Sequence, residues 1–140
     1  AAAMLSSITA CGLRRGPDNG VALENGGVVL TGASLTDGRG DLLATMMGKV
    51  PNFRVRRVRQ QCPQITLRNA VSYQSVVNPH VYVDGARASD TCILESLPAI
   101  DVHRVEVYPS GFTTRPGYSM HAHGLILIFM RSGAADEGRG

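Results

Sequence analysis

Hydrophobic positions in this 140-residue chain fall into short, separately bounded runs rather than one sustained period. The longest, Gly124-Leu-Ile-Leu-Ile-Phe-Met130, is apolar over the length of a strand and predicts a central strand buried on both faces. Arg104-Val-Glu-Val-Tyr108 alternates, which turns Val105 and Val107 inward; Gln64-Ile-Thr-Leu-Arg68 does the same with Ile65 and Leu67. Phe53 and Val55 open another short strand after Pro51. Val81-Tyr-Val83 runs into Asp84-Gly85, a tight turn in which Gly85 supplies the positive φ.

Two segments carry helical spacing. In Asp41–Gly48, Asp41 sits at the positive end of the helix dipole, and Leu42, Leu43, Met46 and Met47 are expected on one face. Gly48 can end this helix, and Val50-Pro51 blocks its continuation. Thr91–Leu97 is a second short helix, capped by Ser89 or Asp90 and closed by Pro98, and Asp101 caps one more turn. Together these elements predict a small mixed α/β (α+β) fold with about four strands and two or three short helices, centred on Leu125–Met130.

The ends differ in composition from this core. Residues 12–40 hold eight glycines and the turn signal Pro17-Asp18-Asn19-Gly20, which reads as an extended arm. Within it, Val28-Val29-Leu30 is long enough to pair as an edge strand. Residues 132–140 read as a polar tail, leaving 41–131 as the folded unit. The first eleven residues are small and apolar, and Ile8-Thr-Ala-Cys11 resembles the lipobox of bacterial lipoproteins. That resemblance implies lipidation of Cys11 and attachment to a membrane; the alternative is a leader that packs on a partner.

Composition narrows the function classes. Hydrophobic residues make up 44% and charged residues 18%, enough for a real core, while aromatics are 5% and Trp is absent, so Val, Leu, Ile and Met must fill it. No uninterrupted apolar stretch reaches the length of a membrane-spanning helix. Much of the net charge of +3 lies in Arg54, Arg56, Arg57 and Arg59. These are either the solvated face of a strand or a contact for an acidic partner or anionic lipid. Nucleic acid is not expected, because no aromatic residues interleave with the arginines for base stacking.

In order along the chain, Leu42-Leu43…Val50-Pro51…Val55, Ile65-Thr-Leu-Arg68, Tyr82-Val-Asp-Gly85, Leu97-Pro98…Asp101-Val-His-Arg-Val-Glu-Val107 and Tyr118…Gly124-Leu-Ile-Leu-Ile128 resemble five successive motifs of the plug domain of TonB-dependent outer-membrane receptors. Asn52, Asn69, Pro109-Ser110-Gly111 and His123 depart from the family pattern, which has glycines or Gly-Pro there. No barrel segment follows, so the resemblance implies the fold and a place outside the cytoplasm, on the periplasmic side of a bacterial membrane, but not transport itself.

Catalytic grammar is thin. Nucleophile elbow, phosphate loop, dinucleotide fingerprint and paired-Cys metal knuckle are all missing from the sequence, so neither an enzyme nor a bound cofactor is expected. His121 and His123 are weak metal candidates, with His103 as a third ligand if the fold brings it near; ordinary surface histidines are the plainer reading. With Cys11 lipidated, Cys62 and Cys92 remain as a pair, bridged in an oxidising compartment or buried as free thiols. The expected function is therefore an exported, non-catalytic interaction module. It would be an accessory subunit of an integral-membrane complex, such as an electron-transfer or photosynthetic assembly, held to lipid through its N-terminus. Two alternatives are a separately encoded plug of a TonB-dependent transport system and a periplasmic ligand or metal carrier.

Overall fold

The computed structural model of the protein describes residues 20–37, 40–67 and 77–132. Its elements in chain order are β1 (Val21–Glu24), β2 (Gly27–Thr31), α1 (Ala33–Thr36), α2 (Leu42–Lys49), β3 (Arg54–Arg56), β4 (Gln64–Thr66), β5 (His80–Val83), β6 (Ala86–Arg87), α3 (Ile93–Ser96), a 3-10 turn at Ala99–Asp101, β7 (Val102–Tyr108) and β8 (Leu125–Met130). Six strands form one mixed sheet in the order β1-β2-β7-β8-β5-β6, and β3-β4 form a separate two-stranded sheet. The fold class is mixed α+β, as the sequence predicts, but the main sheet is wider than the four strands expected.

The extra width comes from the Gly-rich stretch. Residues 20–37, expected as part of an extended arm, instead make the β1–β2 hairpin and α1. Asn25 and Gly26 both have positive φ (51° and 78°), the signature of a two-residue turn that joins closely paired strands. Strand β2 is not an edge strand: it lies between β1 and β7, with Val29 opposite Glu106, and Val28–Leu30 are buried. The Ser34 hydroxyl donates to Gly20 O at 2.9 Å and Thr31 O at 2.7 Å, tying α1 back under the hairpin.

Strand β8 pairs antiparallel with β7 and parallel with β5, and its first five residues are buried. Period-two alternation then sorts the sheet into two faces. One face presents Leu30, Val105, Ile128 and Val81 to Leu35 of α1, Leu42, Leu43 and Met46 of α2 and Leu94 of α3. The other carries Tyr108, Leu125, Leu127 and Phe129, covered in part by Tyr82 and Tyr118. A strand buried on both sides is why 125–130 has no polar residue.

In α2 the Asp41 side chain accepts the Ala44 N–H at 2.8 Å, as an N-cap should. The inward arc is Leu42, Leu43, Thr45 and Met46, whereas Met47, expected on that face, is 48% exposed. At 100° per residue Met47 falls outside the arc centred on Leu42 and Met46. Gly48 does not end the helix; it continues through Lys49 until Val50 turns extended before Pro51.

Candidate functional site

The hairpin turn Asp84-Gly85 forms as expected between β5 and β6, with Gly85 at φ 87°. Asp84 is also in the left-handed region, at φ 49°, and its carboxylate accepts the Met130 N–H at 3.0 Å. The turn thus closes a hairpin and pins the end of β8. It is a structural site.

Cys62 and Cys92 are joined in a disulfide, with Cα atoms 4.7 Å apart. The bridge connects the entrance of β4 to the first turn of α3, and a hydrogen bond from the Thr91 hydroxyl to Pro63 O at 2.5 Å lies beside it. Asp90 is the third member of this cluster, and its carboxylate accepts the Cys92 N–H at 3.0 Å. Because the sulfurs are bonded to each other, the cluster reads as a staple rather than a ligand set.

Arg54 and Arg56 project from the exposed face of β3, whose partner β4 buries Ile65 beneath them. Arg57 and Arg59 continue the patch, and Arg57 reaches Glu95 of α3 at 3.1 Å. Arg54 and Arg56 thus share one exposed face of β3, and Arg57 and Arg59 line a cleft beside Glu95, on the two-stranded sheet that the disulfide fixes to α3 and just after its first strand. Cys11, the lipidation candidate, lies outside the described residues.

The sheet face opposite the helices holds a site that the sequence reading missed. Glu106 is 1% exposed, although it sits in the middle of the central strand β7. Its carboxylate accepts from Arg104 Nε at 2.6 Å, from Arg115 Nε at 2.8 and 2.9 Å, from Arg115 Nη2 at 2.7 Å and from the Tyr108 hydroxyl at 2.6 Å. Arg104 also reaches Glu24 of β1 at 2.9 Å, and the Arg115 guanidinium lies 4.7 Å over the Phe129 ring. Burial alone pushes the Glu106 carboxyl upward, but the Arg115, Tyr108 and Arg104 donors outweigh it and hold its pKa at about 2. Burial and then the bond to Glu106 raise the Tyr108 phenol. Arg115 comes from the connection between β7 and β8, so this cluster fastens the 109–124 segment onto the sheet. A readable signal existed: spacing of two puts Arg104, Glu106 and Tyr108 on one face of one strand.

His121 and His123 are neighbours, with ring centroids 5.6 Å apart, but the third ring is His80, which stacks on His121 at 3.5 Å. His103, the expected third ligand, is near the other end of β7, where the strand pairs with Met130 rather than Leu125. Only the tertiary pairing of β5 with the start of β8 could have revealed His80.

No family model matches the chain, and no curated protein does. Among solved structures the fold is shared. A chain in the "Structure of the RagAB peptide importer in the 'open-open' state" matches with TM-score 0.59 and 13% identity, over 78% of this chain and 12% of that one. The protein is thus similar in fold to a small part of an importer chain and spans about an eighth of its length. Among the described residues no helix is long and apolar enough to cross a membrane.

Proposed function

We propose that this chain is a plug-like, non-catalytic interaction module that works at the periplasmic side of a bacterial membrane, seated against an integral-membrane protein. The observation that carries the reading is the likeness in fold to one segment of a peptide-importer chain. The exposed arginines Arg54, Arg56, Arg57 and Arg59 supply the docking surface in this reading. Arginine suits it because a planar guanidinium pairs with a carboxylate through two parallel hydrogen bonds. Attachment to lipid through Cys11 belongs to the same reading. The importer likeness specifically favours a second version, in which the module is the plug of a TonB-dependent transport system.

The test is native-gel mass spectrometry of the endogenous protein, beside a variant with Arg54, Arg56, Arg57 and Arg59 all changed to Ser. Co-migration of the natural chain with an integral-membrane protein is expected. The variant should lose that association and keep its circular dichroism, because an exposed pair such as Arg57–Glu95 contributes only about 0–1 kcal/mol to stability. A natural chain that migrates alone from gently solubilised membranes overturns the proposal. If the partner is a β-barrel transporter, the transport version stands; any other integral-membrane partner leaves the accessory-subunit version.

A further inference from the structure

Three imidazoles gather at the end of the sheet where β8 begins. His80 opens β5 opposite Leu125, and its backbone N–H donates to Gly124 O at 3.1 Å. Its ring stacks on His121 at 3.5 Å with the planes 19° apart. From β6, Arg87 Nη2 stands 2.8 Å from His80 Nε2. A guanidinium can only donate, so Nε2 must accept and the single ring proton belongs on Nδ1. That Nδ1 is buried with no hydrogen-bond partner among the described residues. The arginine therefore fixes His80 in one neutral tautomer, which can take a second proton only by breaking that contact. Nor is this a ready metal site, because stacked rings send their in-plane lone pairs side by side and His80 Nε2 is already engaged.

We propose that His80 is an acid-sensitive latch that fastens the His121 end of the 109–124 segment to the β5–β6 edge of the sheet. Protonation of Nε2 sets N–H against N–H across 2.8 Å and places a cation beside Arg87 and His121. The groups facing the ring are Arg87 from β6, His121 from the segment, and Asp90 from the stretch after β6, while His123 lies against His121. Asp90 shares with His80, Arg87 and His121 a cleft of about 240 Å³, but its carboxylate is directed to the Cys92 N–H at 3.0 Å. The balance is cationic. Burial first, then His121 and Arg87, hold the His80 pKa below its ordinary 6.5. The latch is thus complete above pH 6.5 and is lost as pH falls through the lower, folded value.

Release would be local, since the other fastening of the segment does not titrate in the same range. Glu106 keeps its charge down to about 2, so Arg115 stays anchored while the His121 end lifts. The contacts that report lifting are His121 N–H to Gly111 O and Gly124 N–H to His121 O, both 3.0 Å, together with His80 N–H to Gly124 O.

Amide hydrogen exchange on the whole chain at pH 7.5 and 5.0, corrected for the intrinsic rate, tests this. Protection of His80, His121 and Gly124 should fall roughly tenfold at pH 5.0, while Val105 on β7 is unchanged. The variant His80→Gln, whose amide can accept from Arg87 but cannot titrate, should show no such fall, and His80→Phe, which keeps the stack, provides a second check. Equal protection at both pH values in the natural chain overturns the proposal. So does a pH response that survives in both variants, or a loss that extends equally to Val105.

Discussion

Replacing Glu106 with Gln removes the charge at the centre of the five-bond cluster and keeps the shape. With an ordinary value of 4.5 and a folded value of about 2, the carboxylate's preference for the native environment is worth about 3 kcal/mol at neutral pH. Little screening discount applies to Glu106 itself, at 1% exposed, although Arg115 is 40% exposed and softens its share. Glu106→Gln should therefore destabilise the chain by about 2–3 kcal/mol at pH 7. The pH dependence follows from the depressed value. The contribution is complete above 4.5 and drains as pH falls toward 2, so the gap between natural chain and variant should shrink to roughly half near pH 3. Urea unfolding at both pH values, followed by circular dichroism, measures it. A gap below about 1 kcal/mol at pH 7, or one that does not narrow in acid, would refute the assignment of Glu106 as the charged anchor.

Reducing the Cys62–Cys92 bridge, which closes a separation of 30 residues, should lower stability by about 3–4 kcal/mol on the loop-entropy model; a lower melting temperature in reductant with unchanged far-ultraviolet dichroism checks it. Leu127→Asp, a carboxylate without a partner at a fully buried position of β8, should abolish cooperative unfolding, because its burial costs several kcal/mol against a total of only ~5–15. Gly85→Val, at φ 87°, should cost about 1–3 kcal/mol and raise amide exchange across β5 and β6 while the β2–β7 pairing stays protected.

Much of the central sheet was legible because its residues state their own environment. An apolar 125–130 and an alternating 104–108 allow little else, and Asp84-Gly85 can hardly avoid a hairpin. The β1–β2 hairpin was obscured by counting glycines. Eight in a short span look like slack chain, yet Asn25-Gly26 is itself a turn signal, and Val28–Leu30 needed a partner that lies far along the chain. Met47 was misplaced through a helical arc drawn too wide. At the candidate sites, the exposed arginines and the cysteine pair could be named from residue types alone. The Arg104–Glu106–Tyr108 face was there to be read in the spacing, but Arg115 as its partner and the His80 stack were not, because each joins a strand to the 109–124 connection through contacts that no local period encodes.

The pairing of β2 with β7 has a consequence for how the chain is made. Val29 faces Glu106, so the first hairpin leaves the ribosome long before its principal partner exists. At ~5–20 residues per second the wait is about 4–15 s, during which Val28, Val29 and Leu30 have no sheet to cover them. Strand β8 emerges later still, and it must insert between β7 and β5 before either face can close. The decisive step of folding therefore waits for β8, and a factor that shields apolar surface on the emerging chain would act first on the β1–β2 hairpin.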